Sequence, residues 1–253
     1  MRFASLGSGS RGNATLVSSG ATTVLVDCGF GIREAVKRMQ TLHMDPATLA
    51  GILVTHEHID HVRGVPALAR RFGLTVYMTV GSWLALQPDP AISVVLITPE
   101  ETRSIGELDI TPVTVPHDAR EPVQYLIEAG ARRLGLLTDL GMVTPHVLKR
   151  YRQCDALFIE CNHDPRMLAN GPYPPSLKRR VSGRLGHLSN RQAVELLQAL
   201  GTDRLQRLVA SHLSEKNNLP ELAFDALRPL LDNDESRLVI ARQGRTVDWQ
   251  SVS

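Results

Sequence analysis

Thr55-His56-Glu57-His58-Ile59-Asp60-His61 puts three histidines and an aspartate within six residues, directly behind the apolar run Gly51–Thr55. A continuous apolar run of that length reads as a buried strand. Neutral imidazole and carboxylate are the usual ligands of zinc and its first-row neighbours. Four such side chains crowded behind a buried strand point to a metal rather than to a solvated polar turn. In an extended turn, residues i and i+2 project to one side, so His56 and His58 can grip one ion. Asp60 and His61, one step further on, can grip a second.

No short segment completes two coordination shells, so further ligands must come from afar. His117 follows Thr114-Val115-Pro116, Asp139 follows Leu136-Leu137-Thr138, and His212 follows Leu208-Val209-Ala210-Ser211. Each alone is more readily a capped turn residue. Together they supply what the first cluster lacks. His56, His58 and His117 would hold one ion, Asp60, His61 and His212 the other, and Asp139 would bridge them. Two ions bridged this way sit ~3.5–4 Å apart and bring the pKa of the water between them toward ~7, so a bridging hydroxide becomes the expected nucleophile. The nitrogen and oxygen donor set admits zinc, manganese, cobalt or iron. Two divalent ions, zinc or manganese, are expected.

The rest of the chain alternates strand with helix. Arg2–Leu6, Ala14–Ser18, Thr22–Asp27, Gly51–Thr55 and Leu74–Met78 read as strands of a first half. Ile32–Leu42 and Pro66–Phe72 have apolar residues at helical spacing. Val94–Ile97, Leu108–Val115, Val123–Glu128, Leu134–Thr138, Ala156–Glu160, Leu208–Ser211 and a last strand, Leu238–Ala241, form a second β-rich half. Thr144-Pro145 and Ser189-Asn190-Arg191-Gln192 are helix starts, the second a capping box. A further helix spans Pro220–Leu230, and Asn170–Pro175, with three prolines, reads as a loop. At 253 residues, a single domain with two sheets inside and helices outside is the economical reading. The three cysteines, Cys28, Cys154 and Cys161, form no Cys-x-x-Cys pair, and no run approaches a membrane span or signal. A cytoplasmic protein without disulfides is expected. A net charge of +2 does not by itself indicate nucleic acid.

The His-x-His-x-Asp-His pattern with later His, Asp and His at strand ends resembles the metallo-β-lactamase-fold hydrolases. That resemblance implies an α/β fold, a four-layer αββα sandwich with the metals at one edge between the sheets. Further segments narrow it: Leu6-Gly7-Ser8-Gly9-Ser10-Arg11-Gly12-Asn13, Val26-Asp27-Cys28-Gly29, Pro116-His117-Asp118-Ala119, Thr138-Asp139-Leu140-Gly141, Glu160-Cys161-Asn162-His163-Asp164, Gly186-His187-Leu188-Ser189-Asn190 and Ser211-His212-Leu213-Ser214. Together they look like the YycJ/WalJ group, bacterial cytoplasmic proteins regarded as 5′→3′ exonucleases on double-stranded DNA and similar in their site to tRNase Z and RNase J. His117 and Asp139 are 22 positions apart, with no room for the tRNA-gripping arm of tRNase Z, and Asp139 and His212 are 73 apart, too few for the β-CASP domain of RNase J. The resemblance also matches Glu160 to the tRNase Z glutamate of His-Glu-Ala-Thr and His187 to its Gly-His-x-x histidine. A carboxylate neighbour favours a histidine's charged form, the form a general acid needs. Asp60, Glu160 and His187 are the expected catalytic groups, although His187 could instead serve as a capping residue. The role of His163 stays open. His43 and His146 are placed on helix surfaces.

On the substrate side, Ser8, Ser10 and Asn13 lie in a glycine- and serine-rich stretch that would offer N–H groups to a phosphate, or would simply make a tight turn. Lys178, Arg179, Arg180 and Arg184 form the one dense basic run, which is either a solvated helix face or a track for a nucleic-acid backbone. Asn217 and Asn218 could add phosphate contacts. Aromatic residues are only 4%, so contact should fall mainly on phosphates and be salt-sensitive. A DNA exonuclease is the leading expectation, with DNA the partner in preference to RNA and no membrane partner. A thioester or lactone hydrolase on the same metal pair is the alternative. A binding protein that keeps the metals for structure is disfavoured by the complete ligand set.

Overall fold

The computed structural model describes residues 1–253. The first half of the chain supplies β1 (Arg2–Gly7), β2 (Ala14–Ser19), β3 (Thr22–Val26), β4 (Gly51–Leu53), β5 (Val76–Met78) and β6 (Val94–Leu96). The second supplies β7 (Arg103–Ile105), β8 (Leu108–Thr114), β9 (Val123–Ala129), β10 (Arg132–Leu137), β11 (Ala156–Glu160), β12 (Arg207–Ser211) and β13 (Leu238–Ile240). A final strand, β14 (Val247–Ser251), returns to pair antiparallel with β1. Two seven-stranded sheets result, in the orders β14-β1-β2-β3-β4-β5-β6 and β13-β12-β11-β10-β9-β8-β7.

The layering follows from the two-residue period of the strands. In β11, Leu157 and Ile159 pack on the helical side with Ala193 and Leu196 of the helix Asn190–Leu200, while Ala156 and Phe158 face the other sheet. In β4, Ile52 turns toward Met39 and Leu68 of the helices Ile32–Thr41 and Val65–Phe72, and Leu53 turns inward. Parallel strands buried on both faces need apolar residues throughout. β3–β6 and β10–β13 are parallel runs in which that pattern holds at the centre. Two contacts lock the sheets together. Phe3 meets Phe158 edge-on at 5.5 Å between ring centroids, and the Tyr125 hydroxyl donates to the Val54 carbonyl at 2.7 Å.

The fold is therefore the expected four-layer α/β sandwich with the helices outside. Several elements depart from the sequence reading. Leu238–Ile240 is not the last strand, because β14 follows it. The sequence reading placed no element at the helices Val80–Leu86 and Pro165–Asn170 or at the edge strand β7. Pro175 lies at the first position of the helix Pro175–Val181 rather than inside a loop, since a first-turn N–H has no intrahelical partner to lose. His43 sits in a turn with φ +54°, not on a helix, whereas His146 does lie on a helix surface, against Glu100 at 2.8 Å. The three cysteines are free and buried. No helix is long and apolar enough to cross a membrane.

Candidate metal centre

All the chemistry-bearing residues sit at one edge, past the C-terminal ends of strands from both sheets. Asp27 follows β3, His56 follows β4, His117 follows β8, Asp139 follows β10, Glu160 ends β11, and His212 follows β12. Crevices at the C-terminal ends of parallel strands are the usual ligand sites of such sheets. His58 precedes the one-turn helix Ile59–Val62 that carries Asp60 and His61.

The structure brings the seven predicted ligands together. His56 Nε2 lies 3.1 Å from His58 Nδ1, which is 3.4 Å from His117 Nε2. His61 Nε2 is 3.5 Å from an Asp60 oxygen and 3.3 Å from Asp139 Oδ2, and His212 Nε2 is 3.4 Å from Asp60. Donor atoms of His56, His58 and His117 fall within 4.8 Å of one another, as do those of Asp60, His61 and His212. Asp139 stands between the two groups, with Oδ1 3.8 Å from His117 Nε2.

Each ring has its far nitrogen engaged. His58 Nε2 faces the Asp118 carbonyl at 3.1 Å, and His117 Nδ1 faces the Gly186 carbonyl at 3.1 Å. A carbonyl only accepts, so these nitrogens carry the proton. His61 Nδ1 contacts Asp27 at 2.8 Å, and His212 Nδ1 contacts Glu160 at 2.9 Å. The Thr55 hydroxyl donates to Asp27 at 2.8 Å and therefore accepts from His56 Nδ1 at 2.9 Å. With the outward nitrogen protonated, the other nitrogen of each ring faces the centre and can give it a lone pair wherever the ring is neutral. Three lone pairs converge at His56, His58 and His117 with nothing shared between them, an arrangement suited to a cation. Asp139 Oδ2 is buried and has no hydrogen bond, which a metal ligand bond would satisfy. The residues present thus fit a pair of divalent ions.

Charge follows the same division. Burial pushes His56 and His117 below the ordinary histidine value. Burial opposes the charge of His61, but Asp139, Asp27 and Asp60 outweigh it and carry its pKa up to about 9; His212 is raised likewise against burial, by Asp139, Asp60 and Glu160. Asp60 is held below the carboxylate range despite its burial, by His61 and His212. The acidic side of the centre therefore attracts positive charge, which protons supply when no metal does.

Two residues of this edge are in strained backbone. Asp27 and His212 adopt left-handed φ of 59° and 55°, which costs on the order of 1–3 kcal/mol each. His212 is held there by its N–H on Ser8 Oγ (2.8 Å) and by its carbonyl, which accepts from the Asn162 amide (3.0 Å). A Cβ at Gly29 would stand 1.8 Å from the Asp60 carbonyl oxygen, so only glycine lets that turn close on the ligand segment.

The other predicted site residues divide. His187 Nδ1 lies 2.7 Å from Glu160 Oε1, and Glu160 Oε2 accepts the Leu140 and Leu188 N–H groups at 3.0 Å each. With four donors, and despite full burial, Glu160 is held below its ordinary value, by His187 first and then His212. It offers no atom to the pocket, whereas His187 lines it. Ser8 and Asn13 are buried and bonded to each other at 2.9 Å, and Asn13 also bonds the Gly9 carbonyl. They shape the loop instead of facing a substrate, and only Ser10 of the three lines the pocket. Of the basic run, Arg180 alone reaches the pocket, bound to Asp118 at 2.6 and 3.3 Å. Lys178 donates to the Ala169 carbonyl, Arg184 contacts Met142, and Arg179 is exposed. Asn217 and Asn218 are buried, Asn218 bonding Cys161 and Asn190, so neither is free for a phosphate. His163 is buried outside the pocket, and burial lowers its pKa to about 4. Sequence reasoning assigned no role to Asp27 and Asp118. Asp27, an acid at a strand end, carried the same signal as Asp139; Asp118 did not.

Residues 22–213 match the beta-lactamase superfamily domain. The chain is 32% identical to exodeoxyribonuclease YycJ of Bacillus anthracis, covering 92% of this chain and 89% of that protein. It is 33% identical to exodeoxyribonuclease WalJ of Streptococcus pneumoniae serotype 2 (strain D39), covering 88% and 85%. Among solved structures it is similar in fold to zinc-bound PqqB from Methylobacterium extorquens, with a TM-score of 0.73 and 21% identity over 98% of this chain and 100% of that one.

Proposed function

The chain belongs to the beta-lactamase superfamily, in the group of the YycJ and WalJ exodeoxyribonucleases, and is a metal-dependent hydrolase; from that premise we propose that it is a 5′→3′ exonuclease on double-stranded DNA. The observation that carries the reading is the convergence of seven ligand-type side chains at one edge, five of which (His58, Asp60, His117, Asp139 and His212) line a pocket together with His187 and Arg180. His56, His58 and His117 would hold one divalent ion, Asp60, His61 and His212 a second, and Asp139 would bridge. Bound there, the ions would supply Lewis acidity and activate water at neutral pH.

The chain's own residues do the rest. Glu160 fixes the proton on His187 Nδ1, which leaves Nε2 for the pocket. As the oxygen of hydroxide, left when water gives up a proton to solvent, bonds to phosphorus, the bond from phosphorus to the departing sugar oxygen breaks. That oxygen takes the Nε2 proton of the doubly protonated form of His187, which returns to the neutral ring with Nδ1 still on Glu160, so Glu160 acts through His187. Arg180 can offer its guanidinium to a neighbouring phosphate. The polarity rests on the resemblance to the exonuclease group, and the preference for DNA over RNA on the relatives.

Incubation with DNA and RNA labelled at either end, single- and double-stranded, across zinc, manganese and magnesium tests this. Stepwise loss from the 5′ end of duplex DNA is expected, weakening as salt rises. Intact DNA under every metal at low salt overturns it. One observation favours the thioester or lactone hydrolase: Tyr173, Leu177, Val181 and Leu185 line one side of the pocket. Turnover of such esters with DNA left intact would support that reading.

A further inference from the structure

The pocket at the candidate metal centre has two unlike walls. Five of the proposed ligands, His58, Asp60, His117, Asp139 and His212, form its floor, and Tyr173, Leu177, Val181 and Leu185 form an apolar wall, with Ile59 beside them. Leu185 is 53% exposed and Ile59 62%. Large apolar side chains left in water around a polar cluster mark a binding surface.

The wall is held firmly. Leu177 and Val181 share a face of the helix Pro175–Val181, being four residues apart. The same helix is clamped to the floor by the bidentate pair of Arg180 with Asp118, the neighbour of His117. A Cβ at Gly186 would stand 2.2 Å from the carbonyl oxygens of Arg180 and Val181, so the loop that carries Leu185 and His187 lies flush on the helix end. Leu185 is thus fixed two residues from the proposed proton donor.

A phosphodiester on the floor brings its own nucleoside within one nucleotide's length of this wall. Aromatic and aliphatic side chains take base faces by stacking and need no particular base. The pocket, about 320 Å³, lies at the small end of the ~300–1,000 Å³ range of small-ligand sites. It can take one nucleoside and no paired duplex. We propose that Tyr173, Leu177 and Leu185 seat the base of the terminal nucleotide, taken out of its pair, so that this wall is what makes the site select DNA ends. The proposal rests on the exonuclease reading.

The test compares cleavage of duplex DNA whose 5′-terminal nucleotide is intact with the same duplex ending in an abasic nucleotide. The wild-type protein and Tyr173→Ala, Tyr173→Phe and Leu185→Ala are used, each loaded with the same metal. The wild type should prefer the intact end by about fivefold to a hundredfold in kcat/KM. Tyr173→Ala should lose most of that preference by slowing only the intact end, and Tyr173→Phe should keep it. Leu185→Ala, at an exposed site, should reduce it without affecting the fold, and it decides the matter if Tyr173→Ala does not fold. Equal rates on both ends in the wild type, or equal slowing of both ends in the variants, overturn the proposal while leaving the exonuclease reading intact. Failure of the wild type to cut any DNA overturns both.

Discussion

Replacement of Glu160 by glutamine probes how the centre is organised, because the change keeps shape and alters only donors. The carboxylate accepts four hydrogen bonds, from His187 Nδ1 and His212 Nδ1 on one oxygen and from the Leu140 and Leu188 N–H groups on the other. An amide has one accepting oxygen and one donating nitrogen. The two backbone N–H groups cannot turn away, so the amide oxygen must face them. The NH₂ then meets both histidine Nδ1 atoms, each of which must become an acceptor and move its proton to Nε2. His212 loses the lone pair that faces Asp60 and the proposed second ion, and neutral His187 takes the opposite tautomer. Loss of an outer partner of a ligand histidine costs about 10–100-fold in metal affinity or activity, or about 1.4–2.7 kcal/mol. Competition with a chromophoric chelator measures the affinity, and far-UV circular dichroism checks the fold. Glu160→Gln binding within twofold of wild type, with undiminished DNA cleavage, would refute the orienting role of Glu160.

Other consequences follow from the same contacts. Burial opposes ionisation of Asp155, but Arg204 (2.8 Å) and the Arg133 N–H (2.7 Å) outweigh it and depress its pKa. A depressed carboxyl contributes stability above its unfolded value of ~3.9 and loses it as pH falls through the folded value. Asp155→Asn should therefore cost ~1–3 kcal/mol near pH 7 in urea melts, with the gap closing below about pH 4; a gap unchanged at pH 3 would contradict this. Phe158→Ala, at the edge-on contact with Phe3 between the sheets, should cost ~3–5 kcal/mol and leave one cooperative transition, as expected if residues 1–253 form a single domain. Two resolved transitions would disprove that unity. Divalent metal at a hundred times its dissociation constant should add ~2.7 kcal/mol of stability, reversed by chelator; a melting temperature indifferent to both would argue against a built site.

The sequence showed the centre better than its supports. His56–His61, His117, Asp139 and His212 stand out because imidazoles and carboxylates directly behind apolar strands are costly to bury unless a cation or hydrogen bonds offset the loss of water. The carbonyls of Asp118 and Gly186 that fix two rings carry no sequence signature, since any residue has one. Ser8 and Asn13 looked like phosphate contacts from composition, but folding directs their polar atoms inward to hold His212 and the loop. Among the elements, β14 is half-exposed with weak alternation and pairs with β1 from the far end of the chain. The helix Val80–Leu86 carries Gly81 and little period beyond its Thr79 cap. Pro165 after the capping Asp164 was a legible start, but the helix is only six residues long and gives no period to read.

Metal content per chain tests the central claim most directly. Protein stripped by chelator, reloaded with zinc or manganese and freed of excess should hold two ions by elemental analysis, and the Asp139→Ala protein one or none. A wild-type chain that retains no ion, or an Asp139→Ala chain that retains the wild-type amount, would contradict a bridged pair at this edge.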